Sequence, residues 1–184
     1  MPTTLIVDRS LIYPQHIWEL FQTRNLLVAE VSRQLESRLS TIITYSDTAR
    51  VSPLEAAMAD GPDPVYGSNL QHALLIAREI ARRTKAGEIL LLAYSLPNAH
   101  HIDGTQPFFM DPPVEESLDA ARREAISTTA DGLRLKVLTI VPSVADSRSA
   151  TLASYFVSLA DATGAVLKSV VVGQDVETVV SQVA

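Results

Sequence analysis

The sequence predicts a doubly wound α/β fold, a mostly parallel six-stranded sheet with one antiparallel edge strand and helices on both faces. Three observations predict it. Apolar runs of strand length alternate with segments of helical period along the whole chain, the pattern of a parallel sheet covered on both sides. Two strand-like runs, STIITYSD and ARVSP, follow each other closely enough to form a hairpin, which supplies the antiparallel member. No repeat, low-complexity tract or dividing linker interrupts the 184 residues, so residues 1–184 read as a single domain.

The elements follow in order. TTLIVD is the first strand and ends at Asp8. A long helix comes next, with Ile17, Leu20, Phe21, Leu27, Val28, Val31 and Leu35 close to a 3.6-residue period. The hairpin strands follow, then a Pro-Gly-Asp loop over 60–66. Ser68 with Gln71 has the form of a capping box, and Leu70, Leu74, Ala77 and Ile80 make the inner stripe of the helix it opens. EILLLAY is the central strand. In DPPVEESLDAARREAIS, Asp111 is the expected cap, Pro112 the first-turn residue and Gly132 the stop. LRLKVLTIV is a strand, SRSATLASYFVSLADATG a helix closed by Gly164, and AVLKSVVV the last strand. Val176, Val179, Val180 and Val183 space out a short terminal helix whose apolar side could pack on a neighbouring molecule. The long irregular stretch from Leu96 to Pro113 has the length of a functional or mobile loop.

Composition removes several function classes. Lys plus Arg is 15 against 21 Asp plus Glu, a net charge of −6, which argues against nucleic acid as a partner. The basic cluster ARRTK sits at a helix end, where cations suit the dipole. The absence of cysteine excludes disulfides, thiolate catalysis and Cys-based zinc sites. No uninterrupted apolar segment has membrane-spanning length and no signal-like leader opens the chain. A cytoplasmic location is therefore expected.

In an open α/β sheet, ligands sit at the carboxyl ends of the strands. Three segments converge there: VDRSLI, YGSN and AYSLPNAH. Asp8, Ser10 and Ser68 offer one carboxylate and two hydroxyls, and oxygen-only ligands of this kind suit Mg²⁺.

These residues resemble the von Willebrand factor type A (VWA) domain and its metal-ion-dependent adhesion site. That site is Asp-x-Ser-x-Ser after the first strand, a Thr before a later helix and an Asp after the central strand. YGSNLQHAL, AYSLPNAH, PFFMDPP and YSDTAR are similar, in order and separation, to motifs of intracellular bacterial members associated with MoxR- and chelatase-like AAA+ ATPases. The resemblance implies a VWA/Rossmann-like fold, and as partner a MoxR-type AAA+ ATPase or another subunit of its complex.

The site departs from the motif. Ile12 stands at the second serine position, Ser68 at the threonine, Tyr94 at the central-strand aspartate and Ser95 at the glycine after it. Ile12 offers no side-chain oxygen. A phenol with a pKa near 10 is a poor Mg²⁺ ligand at neutral pH. The expectation is a decayed adhesion site with no cofactor, in which Asp8, Ser10 and Ser68 are vestigial and Asp8 and Ser68 can equally be a turn and a helix cap. Asp47 is the one nearby acid that could repair the charge deficit.

The remaining chemistry is thin. His100, His101 and Asp103 mimic a metal motif but lack a helical i, i+4 pair. His72 and His100 match family histidines and suggest a hydrogen bond tying loop to helix. Ser95 is no nucleophile elbow: Pro97 replaces the required small residue and no histidine follows His101. Nor is there a Gly-rich phosphate loop. The reading is a non-catalytic protein–protein interaction module, with Ile12, Tyr94, Ser95, His100, Phe108 and Phe109 as partner-facing candidates. Phe108 and Phe109 could equally form a satellite core under their loop. Two alternatives stay open: a small metal-dependent or ligand-binding α/β enzyme using Asp8, and a purely structural, oligomer-forming subunit.

Overall fold

The structure is a computed structural model that describes residues 1–11, 17–59, 61, 63, 67–100, 108–144 and 146–184. Its main sheet contains β1 (Thr3–Asp8), β2 (Leu39–Tyr45), β3 (Ala49–Val51), β4 (Glu88–Ala93), β7 (Arg134–Val141) and β8 (Val166–Val171). The strand order is β3-β2-β1-β4-β7-β8. Within this sheet the β2–β3 pair is antiparallel and the other four pairs are parallel. The predicted six-stranded, doubly wound sheet is therefore the observed one.

Strand periodicity divides the core in two, because successive side chains point to opposite faces. On one face Ile6, Ile43, Leu91 and Val137 pack under α3 (Leu70–Thr84), α4 (Glu115–Ala130) and α5 (Ser147–Thr163). On the other, Leu5, Val7, Leu90, Leu92 and Leu138 pack under α1 (Ile17–Leu35) and α6 (Val176–Ser181). Every residue of β1 and β4 is buried, as strands covered on both faces must be. Their parallel register pairs Val7 with Leu92. The two carboxyl ends are thus level, and Asp8 comes out beside Tyr94.

Four local details differ from the sequence reading. The cap of α3 is Asn69, whose Oδ1 accepts from His72 N at 3.2 Å. Ser68 is one residue too early for that role. Helix α4 begins at Glu115 behind an uncapped Val114, while Asp111 turns away to pair with Arg148 at 2.8 Å. The stretch read as irregular contains a two-stranded ribbon, β5 (Ala99–His100) with β6 (Phe108–Phe109). A single-turn helix, α2 (Leu54–Ala57), follows β3.

The terminal helix also finds its partner within the chain. Val179, Val180 and Val183 are buried in the α1 seam, so the apolar side expected to seek a neighbour is already covered. The α5 boundaries match the sequence: Gly164 ends it at φ 70°, and Asp146 with Ser149 forms a reciprocal capping box at its start.

The α6 seam makes a direct test. Val180→Asp places a charge in a dry contact and is expected to cost more than about 3 kcal/mol in urea unfolding. Val171→Asp, at an exposed position of β8, is expected to stay within about 0.5 kcal/mol.

Candidate functional site

The predicted convergence at the carboxyl edge is real, and Asp8 is its centre. Its carboxylate is completely buried and engaged by four protein donors. Ser10 N donates to Oδ1 at 2.9 Å. Tyr94 N and Ser95 N donate to Oδ2 at 3.1 and 3.0 Å, and the Ser95 hydroxyl makes a further short bond to the same oxygen. Ser95 Oγ and Ser68 Oγ are hydrogen-bonded at 2.8 Å. A hydroxyl has one proton; with Ser95 giving its proton to Asp8, Ser68 donates within this pair.

Backbone contacts close the cluster. Asn98 accepts from Ser68 N through Oδ1 at 2.7 Å and donates its own N–H to Ser68 O at 3.1 Å. Met110 N in turn donates to Asn98 O at 3.2 Å, which ties the ribbon down. Gly67 has φ +147°, and a Cβ there would lie 2.6 Å from the Phe109 ring. Phe109 therefore lies directly on the glycine that leads into Ser68.

Tyr94 and Ser95 are 1% and 0% exposed. As surface contacts for a partner they are corrected by the structure, since both face inward. Tyr94 points to the α1 side of the sheet, where its hydroxyl donates to Ser10 O at 2.7 Å and its ring meets the Phe21 edge at 5.8 Å. Burial, reinforced by Asp8, pushes its phenol well above the ordinary tyrosine range. The phenol is thus a neutral donor holding the Asp8–Ser10 turn. Tyr45, paired with Asp8 across β2, is equally buried, and its phenol is pushed up by the same two causes.

Two hydroxyls at this edge, Ser10 Oγ and Tyr45 OH, are buried with no hydrogen-bond partner among the described residues. The Asp47 carboxylate bonds to Ser46 Oγ at 3.1 Å, and its carbonyl accepts from Asn69 Nδ2 at 3.0 Å. His72 Nδ1 accepts from Ala49 N at 3.2 Å, so the expected histidine tether joins helix α3 to strand β3. His72 and half-buried His100 line one groove between α3 and α4. Ile12, His101 and Asp103 lie outside the described residues, as does the side chain of Phe108.

Sequence reasoning missed two arginines. Arg9, beside Asp8, pairs with Asp63 at 2.9 Å and donates to Ala59 O and Gly61 O, both at 3.1 Å. Arg24 of α1 is 0% exposed. It donates to Asn25 Oδ1 and, at 2.7 Å, to Ala59 O, and its guanidinium lies 4.7 Å over the Phe21 ring. A signal existed: Leu20, Arg24, Leu27, Val28 and Val31 share one helical stripe, and a cation on that stripe has to be buried.

The doubly wound sheet, with an acid-and-hydroxyl turn at the carboxyl end of its first strand, defines a VWA-type domain. The chain belongs to the Rv0959-like vWA domain family, whose profile, described as "Rv0959-like protein, vWA domain", matches residues 3–182. No curated protein matches the chain.

The hydrogen bonds separate two serines that look alike in sequence. Ser95→Ala leaves the buried Ser68 hydroxyl without its partner and removes one of three donors to Asp8 Oδ2, and is expected to cost about 1–3 kcal/mol. Ser10→Ala removes a hydroxyl that bonds to none of the described residues and is expected to change stability by less than about 0.5 kcal/mol. Chemical denaturation of the two variants provides the comparison.

Proposed function

We propose that this vWA domain is a non-catalytic protein-interaction module whose adhesion site no longer uses a metal. One observation carries the reading: the Asp8 carboxylate accepts from four donors among the described residues, three of them on Oδ2 and one on Oδ1. Mg²⁺ demands about six oxygens in near-octahedral array. Of the predicted set, Ser68 Oγ is bonded to Ser95, the central-strand acid is Tyr94, and Ser10 Oγ alone is uncommitted. This donor set does not fit a resident Mg²⁺. The burial of Asp8 speaks against it as a nucleophile or general base, since a carboxylate with no exposed surface has no access to a substrate.

Recognition then falls to the exposed apolar side chains on the same edge. Trp18 and Val144 are each 67% exposed. They sit beside Glu19 and Ser143, which approach within 3.4 Å and join the start of α1 to the β7–α5 connection. An open tryptophan, with a second exposed apolar residue on a connection that meets its helix, is the composition of an interface anchor. No helix among the described residues is long and apolar enough to cross a membrane, and the partner is taken to be a cytoplasmic protein. The resemblance of YGSNLQHAL, AYSLPNAH and PFFMDPP to MoxR-associated VWA domains makes a MoxR-type AAA+ ATPase, or a subunit of its complex, the first candidate.

A binding titration with a purified, nucleotide-free MoxR-type ATPase tests this. The expected result is binding of equal affinity in Mg²⁺ and in EDTA, weakened at least about tenfold by Trp18→Ala or Val144→Asp. Binding that disappears in EDTA, or that ignores both substitutions, would remove the proposal.

A further inference from the structure

The charges buried at this edge do not pair in the obvious way. Arg9 takes Asp63. That leaves Asp8, fully buried, and Arg24, fully buried, with no carboxylate among the described residues within ion-pair distance of Arg24. The Arg24 hydrogen bonds go to neutral oxygens, those of Asn25 and Ala59, and its Nη1 has none among the described residues. A buried guanidinium stays charged, and an isolated buried charge is costly unless another compensates it.

The path between the two is continuous. Arg24 lies over the Phe21 ring, the Phe21 ring meets Tyr94 edge-on, and Tyr94 grips the Asp8 turn at both ends. Its backbone N donates to Asp8 Oδ2 and its hydroxyl to Ser10 O. The Tyr94 phenol and the guanidinium are also electrostatic neighbours.

We infer that Arg24 is the built-in counter-cation of Asp8, held on the far side of Tyr94, and that this internal couple fixes the Asp8–Ser10 turn in place of a bound cation. Arg24 is a positioning residue: it acts on the turn through Tyr94. Burial lowers the Arg24 pKa, with Tyr94 and Asp8 opposing that and Arg9 adding to it, which agrees with a cation held between an acid and a like charge. The inference rests on the metal-independent reading of the site and explains how the turn keeps its shape without a ligand.

A double-mutant cycle tests it, with urea midpoints measured in EDTA for wild type, Asp8→Asn, Arg24→Met and the double variant. Each single change strands a buried charge. The expected loss of the double variant is therefore smaller than the sum of the two single losses. Arg24→Lys, which keeps the charge but not the stacked fork, should retain most of the coupling to Asp8→Asn. A double-variant loss equal to the sum of the two single losses would overturn the couple and leave Arg24 as a brace for Ala59. Should Arg24→Met not fold, Arg24→Gln runs the same cycle. Mg²⁺ binding by the wild type would sink the metal-independent reading, whereas the coupling measured in EDTA would still decide for or against the couple.

Discussion

Everything at the carboxyl edge depends on one carboxylate joining two strands beyond the reach of their own ladder. The β1–β4 pairing ends at Val7 and Leu92. Past that point Asp8 takes over, accepting from Tyr94 N and Ser95 N as a side-chain extension of the sheet. These donors would otherwise be buried without partners, and such groups are costly. The central strand can therefore leave the sheet only along the path Asp8 sets. That path brings Ser95 to Ser68 and hence to the start of α3. Asp8 acts here as a structural clasp.

The two faces of the sheet contribute differently. On the α3 side the clasp is polar and short-range: serines, Asn98 and the Phe109–Gly67 contact. On the α1 side it is aromatic and cationic, with the Arg24 guanidinium over the Phe21 ring and the Phe21 and Tyr94 rings edge to face. Tyr94 is what connects them, since its backbone serves one face and its ring the other. An aspartate at position 94 could not reach Phe21 and would set a second acid beside Asp8. The tyrosine thus fills the space between Asp8 and Phe21.

How much of this is legible in the sequence depends on the range of the forces involved. Apolar runs and helical period identify the strands and the long helices of the main sheet, most clearly β1 and β4, which are buried throughout, while β3 is read from its closeness to β2. Asp8, Ser10, Ser68, Tyr94 and Ser95 emerge together because strand ends are where chain segments must converge. Direction and local competition are harder to read. Tyr94 has the look of a surface anchor, yet the side to which a strand-end residue turns depends on what the opposite helix offers, here Phe21 and Arg24. Ser68 is placed like the cap of α3, but Asn69 takes that role and frees Ser68 for Ser95. Asp111 is placed like the cap of α4, and Arg148, distant in sequence, captures it. Arg24 is the missed opportunity, since a cation on an apolar helical stripe declares itself without any structure.

If the clasp has replaced a metal, the site should ignore one. Calorimetric titration of the metal-free wild-type protein with Mg²⁺ and then Mn²⁺, with Asp8→Ala as control, measures this. No binding heat is expected from either protein. Saturable binding at micromolar to sub-millimolar metal by the wild type, lost in Asp8→Ala, would refute the replacement: Asp8 would then still be a ligand.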